Sequence, residues 1–357
     1  MRIGIDIDDT LTDIKDKLTN AAKEYAISLN KNVENKNHKI IDIYNNGNIY
    51  QKLFDFSYDE LKYFLGTIQE EITNNALPRN DCADIIKKLH KEGHEIYIIT
   101  ARDSEFHKDP YIQSETWLNE NSIYFDKLIV NARDKAKVCV ENNIDLLIDD
   151  SISNCSSVYN CGIEAIMISN EKNSNNEIKT FYNWKEIYNY INNETIFKIV
   201  SYNKVNDYNF DVHNFINESM YLFIGRPYKN RKDVLNIYEY YLKNNGNFWI
   251  AYDVKNNEIL GTIALENRKD YAILKRFYVR ENYQNYGIGQ MLYNILESYV
   301  LNETDINKIY LACGKVLTKA HKFYNKNGFK QIEKLNIEMH FADDDDFFVK
   351  NIERSNR

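Results

Sequence analysis

Long apolar runs are missing from this chain of 357 residues, which excludes a helix able to span a bilayer. The five cysteines include no CxxC pair, so the common zinc-ligand spacing is excluded, and their odd number fits a reducing, cytoplasmic compartment. Positive charge is in deficit. Forty-five Lys and Arg face 53 Asp and Glu, and a net charge of −8 argues against nonspecific binding to a nucleic-acid polymer, whose phosphates attract surplus cations. Only three Pro stand beside 28 Tyr, a bias that points to an A/T-rich genome rather than to a function. No internal repeat is visible, and no secretory leader is expected, because a candidate catalytic residue, Asp6, falls near the start. What is present is enough apolar content, 43%, to exclude wholesale disorder, in a length that suits two domains with their own cores.

The first chemistry-bearing pattern is Ile3-Gly4-Ile5-Asp6-Ile7-Asp8-Asp9-Thr10. Its first five residues read as a buried central strand. Asp6 and Asp8 then fall at the carboxyl end, where open α/β sheets hold their ligands. Two carboxylates there are costly to keep together without a cation, which implies a hard metal such as Mg²⁺. An Asp beside such a metal can attack phosphorus. The alternative is a strand followed by an acidic turn and a helix cap. Three later segments bear on that choice. A strand over 95–99 ends at Thr100, whose hydroxyl and backbone N–H suit a phosphoryl oxygen. Lys135, with Lys137 as the fallback, supplies a cation. A third strand over 145–148 ends at Asp149 and Asp150, completing a metal cage with Asp6 and Asp8. Singly, Thr100 could be a cap, Lys135 a solvated helix residue and Asp149-Asp150 a turn.

Together and in this order, the four segments resemble the motifs of the haloacid dehalogenase superfamily, most of whose members are phosphohydrolases. That resemblance implies that Asp6 is the nucleophile and that Asp8 protonates the leaving oxygen, then activates water. It also implies Mg²⁺ on Asp6, the Asp8 carbonyl and Asp149 or Asp150. Thr100-Ala101-Arg102, the stretch 116–129, the run 148–155 and the Phe181-Tyr182-Asn183-Trp184 segment narrow the resemblance to the branch containing cytosolic 5′-deoxynucleotidases and bacterial nucleotidases. It covers residues 1–193. In this type the segment between the first two motifs, about 12–75 here, forms a helical cap. Ile14, Leu18, Ala22, Tyr25 and Leu29 do recur at helical spacing. Phe54, Phe56 and Tyr63 are readable as core residues or as stacking partners for a base, with core packing favoured.

Past residue 194 the pattern changes. Strands are expected over 248–252, 259–265, 271–279 and 306–312. After the third comes Gln284-Asn285-Tyr286-Gly287-Ile288-Gly289, which runs into an amphipathic helix marked by Met291, Leu292, Ile295, Leu296 and Tyr299. Glycines admit a close backbone approach, and helix-start N–H groups bind phosphate. The spacing resembles the pyrophosphate loop of the GNAT acetyltransferase superfamily, and Phe323-Tyr324 followed by Gly328-Phe329 resembles that superfamily's hallmark beside the cofactor thiol. This implies acetyl-CoA along Gln284 to Gly289, a thioester carbonyl held by backbone N–H groups near Phe277 and Val279, and Tyr324 as proton donor to the departing thiolate. Departures are plain. Ile273 stands where many relatives carry Glu and Leu317 where many carry Asn, so the acceptor's base is unassigned, with Glu266 a candidate on position alone. Lys315, Lys319 and Lys322 either meet the cofactor's phosphates or form a solvated helix face. The acidic run 343–346 reads as a turn before a last strand over 347–350.

The expected architecture is a Rossmann-like parallel sheet with a small helical cap over 1–194, followed by a mixed α+β GNAT domain over 195–357. The expected protein is a bifunctional cytoplasmic enzyme. It would act as a Mg²⁺-dependent phosphomonoesterase on a small phosphorylated metabolite such as a nucleotide, and as an acetyl-CoA-dependent N-acetyltransferase with an amine acceptor. A carrier-dependent acyl-loading enzyme and a noncatalytic ligand-binding fusion are the alternatives. Neither nucleic-acid polymer nor membrane is expected as a partner.

Overall fold

Short apolar runs bounded by polar turns build the first sheet: β1 (Arg2–Ile5), β2 (Glu95–Ile99), β3 (Lys127–Ile129), β4 (Leu146–Asp149), β5 (Glu164–Ile168) and β6 (Lys179–Phe181). In this computed structural model, residues 1–33, 49–170, 177–202, 211–226, 229–333, 337–339 and 345–354 are described. The chain divides into two units, Met1–Ile196 and Phe197–Arg357. The polar stretch 171–176, expected as a solvated loop, lies outside the described residues. No helix among the described residues is long and apolar enough to cross a membrane.

The first sheet is wholly parallel in the order β3-β2-β1-β4-β5-β6. Strand order reverses at β1, so its carboxyl end opens into the crevice where such sheets bind ligands. β1 stops at Ile5, two residues before the sequence suggests. Asp6 still donates its N–H to the Ile148 carbonyl at 3.0 Å, but the Ile7 carbonyl turns back to accept from Leu11 and Thr12. Asp9, at φ +60°, makes that reversal. β3 and β6 have three residues each, too few for a periodic signal.

Between β1 and β2 lie the helices Lys15–Ser28, Ile49–Phe54 and Tyr58–Tyr63, the last continuing through a π-helical Phe64–Gln69 into Glu70–Asn74. Ser57 and Glu60 close a capping box at the start of that long segment. Ala22, Ala26, Phe54, Phe56, Leu61, Phe64 and Leu65 share one core, so Phe54 and Phe56 are packing residues, while Tyr63 is exposed and its ring lies near that of Tyr25. A Cβ on Gly66 would sit 2.5 Å from the Phe106 carbonyl oxygen; only glycine lets the π-helical turn come so close to that loop.

The second unit holds β7 (Phe197–Ser201), β8 (Asn247–Asp253), β9 (Ile259–Asn267), β10 (Ala272–Val279), β11 (Lys308–Gly314), β12 (Lys330–Ile332) and β13 (Asp345–Asn351) in the order β12-β13-β11-β10-β9-β8-β7. Every pairing is antiparallel except β10 with β11. Those two strands pair only at Ala272 with Ile309 and Ile273 with Tyr310, then part. A bulge between Lys275 and Tyr278, with Arg276 at φ +52°, bends β10 away. The parallel sheet followed by a mixed one is the fold class expected from the sequence. Two features are not foreseen from it. The helix Val212–Ile224 packs Phe215, Ile216 and Met220 with Tyr241, Phe248 and Ile250. And β13 begins at Asp345, two residues early, where the carboxylate meets Arg226 at 3.1 Å; Asp343 and Asp344 lie outside the described residues.

Candidate functional site

In the first unit the strand ends bring Asp6, Lys135, Asp149 and Asp150 together. Lys135, at the start of the helix Lys135–Glu141, is 3% exposed and places its ammonium 2.5 Å from Asp6 and 2.6 Å from Asp149. Lys137, the fallback, is exposed and lies 4.0 Å from Glu141, away from the cluster. Asp149 also accepts from the Ser151 N–H at 2.8 Å and from Asn154 Nδ2 at 3.1 Å, two partners not singled out from sequence although they follow it in the same turn. One oxygen each of Asp6, Asp149 and Asp150 lies within 4.8 Å of the others. Burial pushes the Asp6 carboxyl up to about 7, with Lys135 pulling back and Asp149 and Asp8 pushing further. Burial, then Asp149 and Asp6, hold Asp150 well above the ordinary carboxylate range. Burial opposes the charge on Lys135, yet Asp149 and Asp6 raise its pKa. The three carboxyl groups outnumber the one lysine, and the raised pKa values of Asp6 and Asp150 show what it would cost to ionise all three without a further cation.

The Asp8 carboxylate points elsewhere. It takes Arg102 Nε at 2.9 Å and Nη2 at 2.7 Å, outside the Asp6–Asp149–Asp150 group. Burial works to raise its pKa, but Arg102 overcomes that and holds it below the usual range. Thr100 is buried just past β2. Its N–H donates to the Ile129 carbonyl at 2.9 Å because the ladder runs one residue beyond the strand, so only the hydroxyl remains for a ligand. Beside these residues a cleft of 520 Å³ is lined in part by Asp8, Tyr50, Tyr58, Arg102, Phe106 and His107. Its aromatic lining is thus Tyr50, Tyr58 and Phe106 rather than the sequence candidates Phe54, Phe56 and Tyr63.

In the second unit the parting of β10 and β11 opens a wedge. The Arg280 N–H donates to Leu260 on β9 at 2.8 Å, so strand alternation turns the Val279 N–H to the opposite side, toward the departed β11. Phe277 lies within the bulge, and its ring is 5.3 Å from Phe323 and 6.3 Å from Tyr324. Gln284 Nε2 reaches the Val279 carbonyl at 3.4 Å. Asn285 and Gly287 take φ of +72° and +83°, which swings the chain into the helix Ile288–Glu303. No side chain caps that helix start. Gly289 lies beside Phe277 and Val279, where a Cβ would meet each at an ordinary 3.7 Å; Ile288 is buried and Tyr286 exposed.

Tyr324 is buried against Phe329 and Phe348, each at 5.7 Å. Burial, with Cys313 and Tyr278 adding to it, holds its phenol well above the usual pKa, so it stays protonated at neutral pH. Glu266 faces Ile273 across β9 and β10 and is bound by Lys275 at 3.1 Å and by Arg268, which leaves it a poor candidate base. Lys315, Lys319 and Lys322 are exposed.

Residues 211–329 match the family model of the acetyltransferase (GNAT) family. The chain carries a GNAT acetyltransferase domain. This acetyltransferase domain takes in the helix Val212–Ile224, the wedge, the loop 284–289 and Tyr324. The crystal structure of a GNAT-family acetyltransferase from Staphylococcus aureus is similar at 27% identity, covering 44% of this chain and 99% of that one with a TM-score of 0.39. The half that precedes the acetyltransferase domain is similar to a nucleotidase of Clostridium acetobutylicum, 28% identical over 194 residues that span 53% of this chain and 92% of the relative. It is also similar to a Bacillus cereus protein named as a nucleotidase, 25% identical over 201 residues that span 54% of this chain and 100% of the relative.

Proposed function

We propose that the chain is a bifunctional enzyme: a Mg²⁺-dependent phosphomonoester hydrolase of haloacid dehalogenase type over 1–196, acting on a small phosphate ester such as a nucleotide, and an acetyl-CoA-dependent N-acetyltransferase over 197–357. The observation that carries the first half is the Asp6–Lys135–Asp149–Asp150 cluster, three converging carboxyl groups with a single lysine among them. An all-carboxylate donor set with two strongly raised pKa values fits a hard divalent cation. Asp6, Asp149 and Asp150 would hold Mg²⁺, which would neutralise charge at the phosphoryl group. Asp6 attacks phosphorus, and Asp8, which Arg102 holds ionised in the free chain, protonates the departing ester oxygen once the bound phosphoryl group has drawn a proton onto it. Asp8 then takes a proton from water, which cleaves the aspartyl-phosphate and frees phosphate. Thr100 orients a phosphoryl oxygen with its hydroxyl, and Lys135 keeps Asp6 in line.

In the second half the loop 284–289 and the N–H groups of the first helical turn would hold the pyrophosphate of acetyl-CoA. The Val279 N–H, with that of Phe277, would donate to the thioester carbonyl oxygen. The neutral acceptor amine attacks that carbon, Tyr324 protonates the departing thiolate, and the proton shed by the new amide nitrogen passes to solvent, which reprotonates Tyr324. The nucleotidase-named relatives and the acetyltransferase family match support the two halves in turn.

The test uses one preparation of the full chain. Phosphate release from a panel of nucleotides and sugar phosphates should stop with a chelator and return with Mg²⁺, and calorimetry should detect acetyl-CoA binding. A panel with no release at any Mg²⁺ level would remove the first half of the proposal; no binding would remove the second.

A further inference from the structure

We propose that Arg102 is a ligand of the substrate's phosphoryl group, with Nη1 as the donor, and that it selects phosphate monoesters in their dianionic form. The proposal rests on the phosphohydrolase reading of the same site.

Arg102 is 5% exposed and lines the 520 Å³ cleft. Two of its three nitrogens are committed to Asp8. The third, Nη1, is buried with no hydrogen-bond partner. A buried donor on a charged group is seldom left so, because no water makes up the loss. Arg276 in the second unit shows the satisfied arrangement: two nitrogens grip Asp233 at 2.9 and 2.8 Å, and the third rests on Met220 Sδ at 3.4 Å. A second polar atom on the wall near Arg102, Gln69 Oε1, is likewise buried without a hydrogen-bond partner and lines the same cleft, whereas His107 Nδ1 lies 3.5 Å from the Glu70 carboxylate. A buried, unanswered donor on a cleft wall is one that a ligand can satisfy.

Position and charge say which ligand. Asp8 lies two residues past Asp6, and Arg102 two residues past Thr100, so the guanidinium stands in the crevice at the ends of β1 and β2. The carboxylates Asp6, Asp8, Asp149 and Asp150 outnumber Lys135 and Arg102, and a dianion entering there needs every cation the chain offers. A planar guanidinium can hold a carboxylate on one edge and a phosphoryl oxygen on the other, which a lysine ammonium cannot do with the same geometry. Arg102 thereby ties the phosphoryl group to Asp8, the residue that serves the leaving oxygen.

Inorganic phosphate is the probe. Its inhibition constant is measured against p-nitrophenyl phosphate hydrolysis by the full chain with Mg²⁺, in wild type, Arg102→Gln and Arg102→Lys. We expect the constant to rise roughly tenfold or more in Arg102→Gln, with KM rising in parallel, and by less in Arg102→Lys. Acetyl-CoA binding, read on the same samples, should not change. A folded Arg102→Gln with an unchanged phosphate constant overturns the proposal while leaving the phosphohydrolase reading intact. Wild type that neither hydrolyses the ester nor binds phosphate overturns both. If Arg102→Gln loses its thermal transition, Arg102→Lys decides: a constant within twofold of wild type overturns the assignment.

Discussion

Lys135 touches two buried carboxylates at 2.5 and 2.6 Å, whereas the wedge between β10 and β11 is walled by Phe277, Phe323 and Tyr324 and faced by the Val279 N–H. The first site is built from carboxyl groups that outnumber its cation. The second is built from shape: a bulge, two positive φ angles and a helix start that no side chain caps. The contrast teaches where each is vulnerable. A change of charge should disable the first with little loss of fold, and a change of backbone freedom should disable the second.

The largest expected effect sharpens that contrast. Asp6→Asn keeps the shape and removes the anion, so Mg²⁺-dependent phosphate release should fall by roughly 10⁴-fold or more. Acetyl-CoA affinity, followed by calorimetry, should stay at the wild-type value; turnover that survives in the variant would end the aspartyl-phosphate scheme. Next comes Tyr324→Phe, which should leave acetyl-CoA binding nearly unchanged and lower acetyl transfer by about 10²–10⁴-fold. Equal losses in binding and turnover would show the ring to be a packing residue and no proton donor. Gly287→Val should weaken acetyl-CoA by roughly tenfold or more, because a β-branched side chain resists φ +83° and crowds the helix start. Unchanged affinity in a calorimetric titration would show that the loop does not hold the ligand.

The smallest effect would break the contrast if it failed, since it concerns charge in the shape-built unit. Asp233 has its pKa held at about 2; burial works to raise it, but Arg276 grips it with two hydrogen bonds. The folded value lies below the ordinary 3.8, so the ionised form belongs to the native state. Its contribution, about 2 kcal/mol, is fully present above pH ~4 and is lost as pH falls through about 2. Denaturant melts of the second unit should lose stability across that window, and Asp233→Asn should flatten the dependence. A variant with the same acid slope would place the pair's effect elsewhere.

Sequence legibility followed the same division. Asp6, Thr100 and Asp149-Asp150 were readable because each ends an apolar run; Lys135 opens a helix instead and shared its claim with Lys137 until its ammonium was seen on Asp6 and Asp149. Arg102 stood inside a quoted motif with no role, since nothing in a linear string tells that its guanidinium turns onto Asp8. His107 and Gln69 carried no signal at all; they meet Arg102's cleft only through a π-helical turn and the close pass of Gly66 beneath Phe106. In the second unit the long strands were legible by alternation. The bulge at Arg276 was not, because it depends on how β9 and β10 pair rather than on composition. The helix Val212–Ile224 was missed as well, for its apolar residues extend around much of its girth and leave no clean stripe.

The central place of β1 also has a consequence for the order of events at the ribosome. Arg2 donates its N–H to the Asp145 carboxylate across 143 residues of chain, and β1 pairs with β2 and β4, both made much later. At a synthesis rate of roughly 5–20 residues per second, the segment bearing Asp6 waits on the order of ten seconds for its second neighbour. Through that interval an apolar strand has at least one edge bare, both until β2 is made, the condition under which nascent chains meet chaperones or aggregate. The acetyltransferase half, made after the first unit's last helix, would inherit a finished neighbour or a misfolded one.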